Sequence, residues 1–398
     1  MTINHTEFLI VGAGIVGLTL ARELVAQGAD KITLLEKELT LGHHASGRNS
    51  GVLHAGIYYP PDTLKAQLCL KGNLSLQDYC RQKNLPLLNA GKVIVARTAS
   101  ELPILNQLYK RAKQNGAKVD LIDEHELSKI EPHAKTIQKA IYSHNTAIVC
   151  NQSILSALQQ ELIASNKVKF IFNSELKKLK SESSIQTSQG EIYFKQLINT
   201  AGAYADQIAH LFDVGKEYYL IPFKGIYKKL TPDRSHLVNG NIYPVPNLGN
   251  PFLGMHFTKN IQGDAYVGPT AIPAFGRENY GLLSGLDKEC GNIFFYQLLL
   301  FCSNAEFRKV AFEEPKKYFS SYFFNDAKQL VKELRPEWLK PAAKVGIRPQ
   351  LIHVKERKLM MDFLVVQDKN TLHILNAISP AFTSSMAFAK YIIQTYYS

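Results

Sequence analysis

Residues 12–17 read Gly-Ala-Gly-Ile-Val-Gly, directly after the apolar run Phe8-Leu9-Ile10-Val11 and before an amphipathic stretch at 18–27. Strand, glycine turn and helix, in that order, suit a chain that lays its backbone against a pyrophosphate. Gly12 permits the tight turn, Gly14 lets the backbone approach a phosphate, and Gly17 allows the helix to pack closely on the strand. The helix N-terminus then presents N–H groups and a partial positive charge to the anion. A second apolar run, 31–35, ends at Glu36, 24 residues after Gly12. A carboxylate there can accept from a ribose 2′-hydroxyl and disfavours a 2′-phosphate. The pattern predicts a dinucleotide-binding domain and does not separate NAD from FAD.

The loop that follows does separate them. Residues 42–51, Gly-His-His-Ala-Ser-Gly-Arg-Asn-Ser-Gly, form a polar, glycine-rich stretch that an NAD domain does not need at this point. Ser46, Asn49, Ser50 and Gly51 suit a chain running along an extended cofactor, with donors for phosphates or a flavin ring. The loop leads into residues 52–59, which carry His54, Gly56, Tyr58 and Tyr59.

Composition narrows the class further. With 398 residues, 45% of them hydrophobic, the chain has ample material for a core and is not disordered. The formal charge of +12 is spread along the chain with no basic tail, so a nucleic-acid partner finds no module to support it. Five cysteines without a Cys-x-x-Cys pair argue against a zinc site or a disulfide framework and fit a reducing compartment. Residues 1–7 show no leader pattern and no apolar run reaches a membrane span, so a cytoplasmic enzyme is expected.

The string from His44 to Pro60, His-Ala-Ser-Gly-Arg-Asn-Ser-Gly-Val-Leu-His-Ala-Gly-Ile-Tyr-Tyr-Pro, closely resembles the L-2-hydroxyglutarate dehydrogenase/oxidase family, within the D-amino-acid oxidase-like FAD enzymes. Further matching segments follow in order: 199–206 (Asn-Thr-Ala-Gly-Ala-Tyr-Ala-Asp), 253–258 (Leu-Gly-Met-His-Phe-Thr), 267–280, 346–349 (Gly-Ile-Arg-Pro) and 376–385 (Asn-Ala-Ile-Ser-Pro-Ala-Phe-Thr-Ser-Ser). The resemblance implies an α/β fold: an FAD-binding Rossmann-like domain of glutathione-reductase type with a second α+β substrate domain. It also implies oxidation of L-2-hydroxyglutarate to 2-oxoglutarate, with electrons passed to quinone or oxygen.

On this reading Ala201 and Gly202 end a strand with residues small enough to let the backbone touch FAD. Ser379-Pro380 starts a terminal helix, with Thr383 and Ser384 in its first turns; in the resembled fold that helix N-terminus points at the flavin edge where reduction builds negative charge. Arg348, in the Gly-Ile-Arg-Pro element, resembles the arginine that reaches the substrate carboxylate, and its planar fork suits bidentate recognition. His54 and His256 are the candidates for the base that takes the hydroxyl proton. Lys224 is a candidate second cation, and Tyr58 and Thr258 are further polar contacts. No metal is called for.

Departures from the family pattern fall at Lys224, Ile226, Lys228, Thr270, Met361 and Ile378, and keep another 2-hydroxy acid, an amino acid or an amine open as substrate. A flavin-bearing sensing protein without turnover is the non-enzyme alternative. Domain pieces are expected at 1–85, 142–212 and 343–398 for FAD, and at 86–141 and 213–342 for substrate. The latter includes an aromatic-rich helical segment, 287–335. Between 294 and 324 there are eleven Phe or Tyr residues interleaved with Arg308, Lys309, Lys316 and Lys317. That pattern suggests an interfacial helix pair whose cations meet lipid headgroups at the inner face of the cell membrane.

Overall fold

The computed structural model describes residues 4–250 and 252–397; the first three residues of the stretch read for a leader lie outside them. The chain forms two compact units. The first takes the segment up to Arg48, Asn151–Ile221 and the segment from Arg348; the second takes Asn49–Cys150 and Pro222–Ile347. Residues 49–85, 142–150 and 343–347 therefore count with the second unit, and 213–221 with the first. The reason for the first reassignment is pairing: Val52–Leu53 joins Ala147–Val149, which also holds Leu87–Leu88. The Asn73 amide then donates to the carbonyls of Leu53, His54 and Asn145.

In the first unit, parallel strands lie in the spatial order Thr371–Ile374, Gly190–Asn199, Asn4–Val11, Ile32–Leu35 and Val168–Ile171. Ile32–Leu35 and Thr371–Ile374 are buried at every position, as expected of strands covered on both faces. Ser184–Thr187 and Gly190–Asn199 are joined by a hairpin. The helix predicted at 18–27 runs Ile15–Ala26, so it begins inside the glycine motif.

His373 sits in the buried strand between Asn199 and Thr371: the Asn199 amide donates to Nδ1 at 3.2 Å, and Nε2 donates to the Thr371 hydroxyl at 3.0 Å. Both ring nitrogens are served as a neutral imidazole, and burial pushes the ring's pKa down to about 4. An unfolded chain protonates near about 6.5, so it gains the proton first as pH falls. Stability from this residue is complete above that value and falls by about 1.4 kcal/mol per unit between there and about 4. In urea titrations from pH 7.5 to about 5, His373→Gln should flatten that slope; an unchanged slope would assign it to other groups.

The second unit is built on a mixed sheet in the order Tyr218–Leu230, Ala265–Gly268, His256–Lys259, Asn241–Pro244, Lys92–Val95, Lys139–Ser143, Val119–Asp123. Its register sorts the side chains into two faces. Val93, Val95, Ile242, Phe257, Ala265 and Val267 share one, and pack with Phe323, Ala327, Leu330 and Val331 in a single apolar cluster. Ile94 and Tyr243 share the other and pack with Ala55, Ile57, Tyr58, Leu105 and Leu108. That second face also carries Lys92, Asn241, His256 and Thr258, all buried.

The aromatic-rich segment is helical, with helices Cys290–Ser303, Ala305–Glu313 and Ser320–Ala327. In the first of these, Ile293, Gln297 and Leu300 face inward, while Phe294, Phe295 and Leu298 are exposed. Three of its interleaved lysines are ion-paired. Lys309 pairs with Glu306, Lys316 with Glu313, and Lys317 with Glu314 and Asp326. Each of these three ammoniums has an acid one helical turn away or on the following helix.

Candidate active site

The cofactor side is built at the carboxyl ends of the parallel strands of the first unit. Val11 is in register with both Leu35 and Asn199, so Gly12, Glu36 and Thr200 leave the sheet at one edge. This is where an open parallel sheet binds its ligand. Gly12 has φ +106°, and a Cβ there would lie 2.6 Å from the Thr200 carbonyl oxygen. At Gly17 a Cβ would lie 2.1 Å from the Gly12 carbonyl oxygen. Any side chain at either position would drive the helix off the strand. Glu36 accepts from the Ala13 amide through one oxygen and from the Glu38 amide through the other, both at 3.0 Å. The carboxylate is thereby held at the turn, and each oxygen retains a second lone pair for a hydroxyl.

Ser46 reaches the same turn, its hydroxyl accepting from the Ile15 amide at 3.0 Å. Asn49 and Ser50 have local employment: Asn49 Oδ1 accepts from the Gly51 amide and Ser50 Oγ from the Val52 amide. Those bonds shape the turn through Gly51, whose φ is +78°. Ala201 follows the strand end, its amide donating to Asn199 Oδ1, and Gly202 starts a short 3-10 turn. The terminal helix runs Ala381–Tyr396 with Pro380 at its N-cap position. The reading of Ser379 as its starter is corrected, since no side chain caps the helix and Ser379 stands one residue outside it. Thr383 and Ser384 are buried in its first turns, and the next residue, Ser385, accepts through its carbonyl from Thr19 on the first helix.

The substrate-side candidates lie in the second unit, apart from Arg348. His256 is 6% exposed and opens the strand His256–Lys259. Its Nδ1 lies 2.8 Å from the Gly254 carbonyl oxygen. A carbonyl can only accept, so Nδ1 carries the proton and Nε2 holds the lone pair. The ring stacks on Tyr243 with centroids 3.8 Å apart and planes at 14°. His54 meets the same tyrosine edge-on, at 6.3 Å. The two candidate bases are thus brought to one aromatic ring, and a main-chain carbonyl fixes the tautomer of His256. Tyr58 and Thr258 are buried on the same side of the sheet.

Lys224 is buried, and its ammonium donates to the Gly281 carbonyl. It ties down the loop that precedes the helical segment, an employment the sequence did not disclose. Thr270 bridges the neighbouring strand, accepting from the Ile226 amide and donating to the Lys224 carbonyl. Lys228 donates to Ser320 and lies 4.9 Å from the Phe323 ring centroid. Met361 is exposed. Four of the departures, Lys224, Ile226, Lys228 and Thr270, therefore belong to one mutually supporting packing arrangement around the strand Tyr218–Leu230. Arg348 is half-buried on the strand Leu339–His353, at the point where the chain passes from the second unit to the first.

Two cations were missed. Lys344 lies over the rings of Tyr227 and Tyr266, at 5.4 and 5.8 Å, and burial lowers its pKa to about 8. Lys92, 1% exposed, lies 4.6 Å from the Tyr58 ring centroid and 5.0 Å from that of Tyr243. Neither carries a local signal, because a lysine in a strand ordinarily reaches solvent.

With this geometry in place, the comparisons with known proteins converge. The family described as FAD dependent oxidoreductase (DAO) matches residues 7–395, and the chain belongs to it. Within that class it is similar to L-2-hydroxyglutarate dehydrogenases along nearly its whole length. The mitochondrial protein of Nematostella vectensis is 35% identical, across 98% of this chain and 90% of the relative. That of Indibacter alkaliphilus is 34% identical across 96% of each, and the human mitochondrial protein 34% across 97% and 87%.

Among solved structures, L-alpha-glycerophosphate oxidase from Mycoplasma pneumoniae, reduced by dithionite and with FAD bound, superposes with a TM-score of 0.78 at 21% identity, covering 98% of this chain and 94% of that one. Glycine oxidase from Geobacillus kaustophilus gives 0.73 at 16%, with the same coverage. These two establish the fold. FAD is the cofactor of the family, and the first unit fits it: a glycine turn with no room for a Cβ, a twelve-residue helix whose N-cap is the side-chain-free Gly14, and Glu36 fixed at the ribose position of the motif.

Proposed function

We propose that this FAD-dependent oxidoreductase oxidises L-2-hydroxyglutarate to 2-oxoglutarate. The substrate assignment is carried by the similarity to L-2-hydroxyglutarate dehydrogenases across 96–98% of the chain. When bound, FAD accepts the hydride from the carbon that bears the hydroxyl. The first unit's Gly12, Gly14, Gly17, Glu36, Ser46, Ala201, Gly202, Ser379, Pro380, Thr383 and Ser384 serve the cofactor, with Asn49, Ser50 and Gly51 at the start of the second.

His256 takes the hydroxyl proton through Nε2, and the resulting imidazolium keeps its Nδ1–H bond to Gly254. Losing that proton lets the C–H electron pair leave as hydride, and the carbonyl of 2-oxoglutarate forms. Arg348 fixes a carboxylate through its planar fork. Tyr58, Thr258 and His54 complete the polar contacts, while Lys224 supports the loop at Gly281.

Anaerobic mixing with L-2-hydroxyglutarate should bleach the flavin, with 2-oxoglutarate as product and no ammonia. Bleaching by amino acids with ammonia release, and none by the hydroxy acid, would overturn the assignment.

For the electron acceptor we favour a quinone reached at a lipid surface. Leu282, Leu283, Phe294, Phe295 and Phe319 are all more than half exposed, and they belong to the loop and helices whose lysines are internally paired. No helix among the described residues is long and apolar enough to cross a membrane. Contact would therefore be peripheral and driven by apolar burial. The holoenzyme should co-float with zwitterionic vesicles with little change between low and high salt. Binding only to anionic vesicles at low salt would instead assign the contact to charge.

A further inference from the structure

Three buried groups from three strands form a line that the proposed chemistry does not yet use. Lys92, Tyr243 and His256 lie on neighbouring strands, with Asn241–Pro244 between Lys92–Val95 and His256–Lys259. The Tyr243 ring therefore separates the ammonium, 5.0 Å from its centroid, from the imidazole stacked at 3.8 Å. Tyr58 closes the ammonium from another side at 4.6 Å.

Two other buried cations of this unit have oxygen partners. Arg277 pairs with Glu289, and Lys224 has the Gly281 carbonyl. Lys92 is 1% exposed, and its Nζ has no hydrogen-bond partner and no ion pair among the described residues. Two aromatic faces supply its attraction, and no acid neutralises its charge. A lysine is a poor choice for filling such a space unless its charge is used, because a buried ammonium without an oxygen partner is costly.

We propose that Lys92 is a positioning residue for the oxidation: from beyond the Tyr243 ring, its ammonium keeps His256 in the neutral form that can accept the hydroxyl proton. The proposal rests on the reading of His256 as the base. Its logic is like-charge exclusion. Two cations separated by one ring in a buried place disfavour each other, so a charge on Lys92 opposes protonation of His256.

The effect is present where it is needed. Burial brings the Lys92 pKa down to about 7, so the ammonium is charged below that, which is where an ordinary imidazole would begin to protonate. The groups that face Lys92 are the phenols Tyr58 and Tyr243 and, from the helix Leu64–Gln82, the thiol of Cys69. His54 and His256 both meet Tyr243.

The test reads His256 directly in the resting holoenzyme, by histidine-selective 15N NMR across pH, with its signal assigned by its loss in His256→Gln. In Lys92→Met, His256 should protonate about one pH unit higher than in the wild type, a tenfold gain in proton affinity. In Lys92→Arg, which keeps the charge, it should protonate no higher than in the wild type. An unmoved midpoint in Lys92→Met overturns the proposal. If that variant does not retain flavin, a rise in Lys92→Arg overturns it and an unmoved or lower midpoint supports it.

The acid limb of the flavin-reduction rate with L-2-hydroxyglutarate should move with the NMR midpoint. If the midpoint moves and the limb does not, the base assignment falls while the influence of Lys92 on His256 stands.

Discussion

Replacing Gly17 by valine should yield a protein that loses most of its FAD on purification and melts well below the wild type. A Cβ at this position would lie 2.1 Å from the Gly12 carbonyl oxygen and 2.9 Å from the Thr200 hydroxyl oxygen. Both partners are fixed: the Thr200 hydroxyl donates to the Gly12 carbonyl at 2.7 Å, and the Thr200 amide donates to the Val11 carbonyl. The helix must therefore move away from the strand end, which costs about 3 kcal/mol or more. The same movement carries the helix N-terminus away from the phosphates, so the stability gained from bound FAD is lost as well. Flavin absorbance per mole of protein and thermal midpoints with and without added FAD measure both effects. Full flavin occupancy in Gly17→Val would show that the turn is not the phosphate site.

The second large effect is expected at His256. His256→Gln should slow flavin reduction by L-2-hydroxyglutarate by about 10²–10⁴-fold while leaving FAD content unchanged, because it removes the acceptor for the hydroxyl proton. His54→Gln should cost far less. The contrast follows from geometry: His256 is held with Nδ1 on the Gly254 carbonyl and its face on Tyr243, whereas His54 approaches that ring by its edge. Stopped-flow reduction at several pH values measures both. If His54→Gln is the slower variant, the roles are exchanged.

The departures from the family pattern look different in three dimensions. Along the sequence, lysines at 224 and 228 and a threonine at 270 suggest a changed pocket. In the folded chain Lys224 holds Gly281, Lys228 holds Ser320, and Thr270 ties residue 226 to the carbonyl of residue 224. Changes in one strand have been matched by contacts from the loop and helices laid over it. The oxidation of the same hydroxy acid is compatible with all of them.

Secondary structure was legible where the signal was contiguous. The terminal helix was read from Ser379-Pro380 as its starters, but its start was misjudged because Ser before Pro usually caps a helix, and here Pro380 itself takes the N-cap position. The lysines of the aromatic segment were visible, yet their acids, one turn away at Glu306, Glu313 and Glu314, decide whether they present charge outward. The turn-forming use of Asn49 and Ser50 was hidden for a similar reason: a polar side chain in a loop serves either the backbone or a ligand.

By itself the sequence determined the cofactor face. Strand, glycine turn, helix and Glu36 occupy one short stretch, and the glycines are required by backbone contacts made within that stretch and with the strand end at Thr200. The tertiary structure alone decided the neighbourhood of the proposed base. Lys92, Tyr243 and His256 are more than a hundred residues apart at the extremes, and only sheet register brings an ammonium, a phenol ring and an imidazole onto one face. Register depends on the pairing of whole strands, so no window of sequence contains it.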